Sequence, residues 1–188
     1  MDNNTLESLL AKQAITEVIH RYARAIDRLD EPLLRSVFHP DSSHNHFYQG
    51  PSSAPDRAAE GEDPGDFVRF AFAVLSAYRY THHQLGNTLV EFVDNTAAHV
   101  ETYFTAYHRM RAQGDPLAPD NAQETEMDYF VAGRYVDRFE CRDGTWKIAQ
   151  RTGMTDWMRL EAPSSPGAVG VDPATIGRRA PDDFIYSL

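Results

Sequence analysis

Two long segments that alternate apolar and polar residues across a two-residue turn constrain this chain more than anything else in it. Residues 80–93, YTHHQLGNTLVEFV, and 97–110, AAHVETYFTAYHRM, flank Asp94-Asn95. Strand side chains point to opposite faces in turn, so two period-two runs about such a turn read as an antiparallel hairpin. In the first strand His83, Leu85, Asn87 and Leu89 then share one face, and His82, Gln84, Thr88 and Val90 the other. In the second, Val100, Thr102, Phe104 and His108 lie opposite to His99, Glu101, Tyr103 and Tyr107. A neutral imidazole is a base that works near pH 7, and an amide on the same face can hold a substrate oxygen. The His83 face therefore points to a pocket. A buried histidine is more often a hydrogen-bonded structural residue, so the strand by itself does not make His83 a catalyst.

The hairpin is preceded by helical patterns. Residues 5–29 read as one long helix with Thr5 as N-cap and a core stripe of Ala11, Ile15, Ile19, Tyr22, Ile26 and Leu29. Asp27 falls off the centre of that stripe, beside Ala23 and His20, and points inward only if the helix is covered on two sides. Asp30 is the expected N-cap of a short second helix in which Leu33, Leu34, Val37 and Phe38 pack, ended by His39-Pro40-Asp41. A strand is expected over 43–49, with His44, His46 and Tyr48 alternating with Asn45 and Phe47. Proline, glycine, serine and charge make 51–65 an exposed loop. A third helix over 66–78, with Phe67, Phe70, Val74 and Leu75 inward, leads into the hairpin. After a loop at 111–124, two more strands, 127–141 and 145–157, turn about Arg142-Asp143-Gly144. The sum is an α+β fold: a cone-shaped barrel in which a curved antiparallel sheet packs on three N-terminal helices around an internal cavity. Residues 1–160 make this domain, and 161–188 an extended C-terminal arm.

Composition narrows the partners. A chain of 188 residues with net charge -10 suits one domain and is the wrong sign for nucleic acid or an anionic membrane surface. Cys141 is the only cysteine, which excludes an internal disulfide and a Cys-based zinc site and fits a reducing cytoplasm. The opening MDNNTLESLLAKQ has neither a basic nor an apolar export region, so a cytoplasmic location is expected. His44-x-His46 could place two imidazoles on one strand face for a metal. A cupin-type site would need a downstream Glu and a further His in an all-β setting, and Phe47-Tyr48-Gln49-Gly50 follow instead, so no metal is assigned.

The segments RYARAIDRLDEPLLRSVFHPD (21–41), THHQLGN (81–87), ETYFTAYHR (101–109) and GRYVDRFECRDGTWKI (133–148) resemble the SnoaL-like branch of the nuclear transport factor 2-like superfamily. The resemblance covers about 5–160, without the loop at 51–65. That superfamily includes scytalone dehydratase, hexachlorocyclohexane dehydrochlorinase, ketosteroid isomerase, polyketide cyclases and dioxygenase small subunits. The resemblance implies a catalytic pair of Asp27 and His83, with His82 as the competitor for the role, a phenol from Tyr22 in the cavity, and His46 as a second catalytic histidine. Donors to a substrate oxygen are, in falling order, Tyr22, His46, Asn87 and Tyr103, with Tyr48 and Tyr107 as further substrate contacts. The implied activity is a lyase without cofactor, of dehydratase or retro-aldol type, that expels water, halide or a small aldehyde from a small aromatic or polyketide-like substrate. The implied assembly is a homodimer or homotrimer. An isomerase or cyclase, a non-catalytic dioxygenase small subunit and a ligand-binding module are the alternatives.

Overall fold

A computed structural model describes residues 5–46, 64–165, 167 and 169–188. Helix α1 spans Leu6–Arg28, and the Thr5 side chain accepts a hydrogen bond from the Ser8 amide at its start. It stops at Leu29, whose left-handed conformation (φ 51°) turns its amide back to the carbonyls of Ala25 and Ile26. The expected stripe is buried as far as Ile26, but Val18, Ala23 and Ala25 are buried as well. The helix is therefore covered on two sides, the condition under which Asp27 faces inward.

Asp30 caps α2 (Glu31–Ser36) by accepting from the Leu33 amide at 3.0 Å. The chain then enters strand β1, Phe38–His46, earlier than the His39-Pro40-Asp41 stop implies. Phe38 pairs with Ile148, the register breaks, and Ser43 to His46 pair with Gln150 to Gly153. Pro40, which has no amide hydrogen to give to a ladder, lies inside the break. The rest of the expected strand, including Tyr48, and most of the loop at 51–65 lie outside the described residues. Helix α3, Pro64–Ser76, buries Val68, Ala71 and Leu75, and Phe70, expected inward, lines the space between helix and sheet while staying 40% exposed.

Strands β2 (Tyr78–Phe92), β3 (Ala97–Met110), β4 (Met127–Arg142) and β5 (Thr145–Glu161) form the expected antiparallel meander. The sheet order is β1-β5-β4-β3-β2, and β1 joins the edge parallel to β5, so the sheet is mixed where a purely antiparallel one was expected. At the β4–β5 turn Asp143 (φ 52°) and Gly144 (φ 75°) are both left-handed, as a two-residue hairpin turn requires. At the β2–β3 turn the Asp94 carboxylate accepts from the Thr96 amide at 2.7 Å.

β3 and β4 pair without interruption, but β2 carries a bulge against β3. Leu85 pairs with Phe104 and Thr88 with Thr102, so Gly86 and Asn87 together face Tyr103. A Cβ on Gly86 would come within 3.3 Å of the Tyr103 Cβ, so the smallest residue sits where the backbones crowd. Further breaks follow Ala132 and Arg138 in the β4–β5 ladder. Extra residues on one strand bend it and increase its twist, which curls the sheet around the helices into a cone.

Ile15, Ile19, Leu34, Val37, Phe38, Val68, Val100, Phe139 and Ile148 fill the space between helices and sheet. Each such side chain contributes about 1.5–3 kcal/mol when removed from water. Within this apolar layer lies one ion pair: Arg151 Nε donates to Asp137 at 2.8 Å and Nη2 at 2.6 Å, with both side chains at 0% exposure. The guanidinium is also stacked on the rings of Tyr22 and Tyr135, 4.0 and 4.3 Å from their centres. Among the described residues no helix is long and apolar enough to cross a membrane.

Candidate functional site

The two ends of a pair are brought together from positions 56 residues apart. Asp27 sits on the last turn of α1, and His83 is the sixth residue of β2. One carboxylate oxygen meets His83 Nδ1 at 2.7 Å, and the other accepts the His83 backbone amide at 2.9 Å. Both side chains are only 8% exposed. A carboxylate accepts only, so Nδ1 carries the hydrogen and Nε2 is the basic nitrogen. Burial pushes the Asp27 carboxyl up, but the bonds and charge of His83 outweigh it and hold the group below its ordinary value. The backbone bond also fixes which histidine meets Asp27, because alternation sends His82 to the opposite, exposed face.

His83 borders a cavity of about 210 Å³ between helices and sheet. Tyr22 and Ile26 of α1 line one side, Phe67, Ala71, Val74 and Leu75 of α3 another, and Phe104, Tyr129, Val131, Tyr135 and Thr155 the sheet side. Among the described residues that line it there is no lysine, arginine, aspartate or glutamate. Tyr22 is where the resemblance implies it: burial raises its phenol above the ordinary value, with Arg151 opposing, so it stays protonated and able to donate.

A second imidazole reaches the cavity that the sequence reading left among plain strand residues. The His108 ring centre is 5.2 Å from that of His83 in an edge-on arrangement, and its Nδ1 lies 3.4 Å from the Tyr129 carbonyl oxygen. Burial, and then the neighbouring His83, push its value down to about 3, so it remains neutral at physiological pH. Local alternation could not find it: counting pairs back from the Asp94-Asn95 turn would set His108 opposite His82, and only the extra residue at Gly86-Asn87 shifts it opposite Thr81, diagonal to His83 on the same face.

Three expected contacts lie elsewhere. The bulge inverts the alternation of β2, so Thr88, Val90 and Phe92 turn inward in place of Asn87 and Leu89, and Asn87 is exposed. Thr88 takes the inner place and donates to the Thr102 hydroxyl at 3.2 Å. Tyr103 is 42% exposed on the outer sheet face, 6.0 Å from the Arg134 guanidinium. Tyr107 is on that outer face too, and its hydroxyl donates to Asp128 at 2.8 Å. His46 is placed by its backbone opposite Gly153, but its side chain, like all of Tyr48, lies outside the described residues. His44 is buried, stacked 4.0 Å on Phe67 and 3.3 Å from the Ser42 hydroxyl. Among the described residues no group of three His, Cys, Asp or Glu is placed to hold a metal ion.

Residues 7–152 match the family described as SnoaL-like domain. Over 156 residues the chain is 23% identical to hexachlorocyclohexane dehydrochlorinase 1 of Sphingobium indicum, covering 81% of this chain and 86% of that protein. The gamma-hexachlorocyclohexane dehydrochlorinase of Sphingobium indicum is equally similar, with 85% of its length covered. Among solved structures, a type 2 hexachlorocyclohexane dehydrochlorinase superposes with a TM-score of 0.68 at 20% identity, over 88% of this chain and 99% of the other. A scytalone dehydratase-like protein from Novosphingobium aromaticivorans gives 0.63 at 22% identity, over 88% and 97%.

Proposed function

The chain belongs to the SnoaL-like domain family, and on that premise we propose that it is a lyase whose base is His83, worked by Asp27 and independent of any cofactor. The observation that carries this reading is the double bond of one carboxylate to His83, at 2.7 and 2.9 Å, on the wall of a cavity. Nε2 takes a proton from the substrate, and Asp27 stabilises the imidazolium that results. In an elimination the C–H electron pair becomes the new double bond, and the leaving group takes the pair of its bond to carbon, departing as halide or, with a proton from Tyr22 or from the His83 imidazolium, as water. In a retro-aldol step the proton comes from a hydroxyl, its electron pair forms the carbonyl of a small aldehyde, and the pair of the broken carbon–carbon bond passes into an enolate that takes the proton back from His83. Tyr22 is a protonated donor for the oxygen or leaving group on which negative charge grows, and the neutral His108 holds a substrate hydroxyl.

The lining limits the substrate. With no permanently charged side chain among the described lining residues, an uncharged ligand suits those walls better than one with a carboxylate or phosphate. The volume of about 210 Å³ is below the roughly 300–1,000 Å³ of drug-sized sites. An uncharged aromatic or polyketide-like molecule of one or two rings fits both limits. The test is a turnover screen of hydroxylated and halogenated cyclic compounds without added cofactor, wild type against His83→Ala. The expected result is product from wild type and a loss of at least about a hundredfold in the variant. Equal rates in the two proteins would remove His83 from the chemistry.

A further inference from the structure

The Asp27–His83 bond joins two elements that are far apart in sequence, and catalytic geometry of this kind tolerates only about 0.5 Å of looseness. Something must hold the end of α1 against the start of β2. We infer that the C-terminal segment does so, with Arg179 as a positioning residue that braces the pair from outside the cavity. The significance for turnover rests on the lyase reading above, whereas the brace itself does not.

Two consecutive residues make the connection. The Ala180 amide donates to the Arg28 carbonyl at 2.7 Å, one residue beyond Asp27. The Arg179 side chain reaches the other way: its Nη2 donates to the Leu75 carbonyl at 2.8 Å and to the Tyr78 carbonyl at 2.9 Å. Leu75 is in the last turn of α3, and Tyr78 is the first residue of β2, five before His83. A cation at a helix C-terminus satisfies carbonyls that the helix cannot pair and meets the negative end of its dipole. One short stretch of chain thus grips the end of the element that supplies the carboxylate and the start of the element that supplies the imidazole.

The grip is itself anchored. Asp183, 8% exposed, accepts the Arg178 amide at 2.8 Å and pairs with Arg28 at 3.1 Å, which closes the segment into a hook. Tyr186 donates to the Asp30 carboxylate at 2.8 Å, securing the hook to the cap of α2. The segment that makes the brace, Arg178 to Tyr186, lies beyond residue 152, where the family match ends.

The experiment reads the pair directly. Full-length protein carrying ¹⁵N-histidine is followed by NMR for solvent exchange of the His83 Nδ1 proton in wild type, Arg179→Met, Arg179→Lys and Tyr186→Phe. Arg179→Met removes both carbonyl bonds and keeps the apolar stem; Tyr186→Phe loosens the same segment without touching the junction. The expected result is exchange about tenfold faster in Arg179→Met, the weight of one to two hydrogen bonds, partial rescue in Arg179→Lys, and wild-type exchange in Tyr186→Phe. Unchanged exchange in Arg179→Met overturns the inference, and so does equal acceleration in Tyr186→Phe, which would make the segment general packing. Should Arg179→Met fail to fold, Arg179→Lys is read by the same criterion. Absence of turnover in wild type would sink the lyase reading and leave this result standing.

Discussion

Asp137 and Asp27 are each held by two donors of a single residue, and their settings differ. Asp137 is gripped at 2.8 and 2.6 Å by Arg151, a cation that cannot give up its proton, with rings above it and no exposure. Asp27 is gripped at 2.7 and 2.9 Å by a side chain and an amide of His83, whose remaining nitrogen borders a cavity. Burial pushes both carboxyls up; the guanidinium opposes that at Asp137, and at Asp27 the histidine more than cancels it. What separates them is the partner's freedom to titrate and its access to space. A permanently charged partner sealed in the core can only hold the fold together. A titratable partner on a cavity wall can move a proton.

The sharpest way to break this contrast is to remove one carboxylate at a time. Asp137→Ala leaves a buried guanidinium without its partner and should cost about 3–5 kcal/mol in urea unfolding. Asp27→Asn keeps the size of the side chain and strands no permanent charge, so stability should fall by only about 1 kcal/mol. Turnover of a substrate found in the screen should drop by about a hundredfold or more, because the imidazolium loses its counter-charge. A large stability loss with intact turnover would put Asp27 in the class of Asp137.

His108 tests the cavity wall beside His83. Its folded value, about 3, lies below the unfolded value of 6.5, so across that window the unfolded chain binds the extra proton. Stability should therefore fall as pH drops below 6.5, by about 2 kcal/mol at pH 5 for this group, and His108→Gln should flatten that slope. A variant that keeps the wild-type slope would place the titration elsewhere. The smallest effect is expected at Asn87, which the bulge turns to solvent: Asn87→Ala should leave turnover unchanged and move stability by less than about 0.5 kcal/mol.

Much of the architecture was legible because its signals are local. Thr5 and Asp30 are where helix starts need a side-chain acceptor, and both cap as read. The Asp143-Gly144 turn and the Ala97–Met110 strand carry their own chemistry and period. The site was only partly legible. His83 was reached through strand alternation and resemblance together, and the structure places it beside Asp27. Asn87 was misplaced because alternation assumes an unbroken ladder, and Gly86-Asn87 adds one residue to it. Tyr103 and Tyr107 were assigned to a pocket although their faces had been separated correctly, because alternation sorts residues into two faces without saying which one the helices cover. β1 was read without its partner, since parallel pairing to a strand about a hundred residues later leaves no mark at the site itself.

Periodicity, caps and turns thus determined the elements and their order, each being a property of neighbours along the chain. Which face became the interior, where the β2 alternation inverts, and whether an off-stripe aspartate meets an imidazole were decided only in three dimensions. They depend on contacts between segments distant in sequence, and there a single inserted residue or a second covering layer reverses what the local pattern implies.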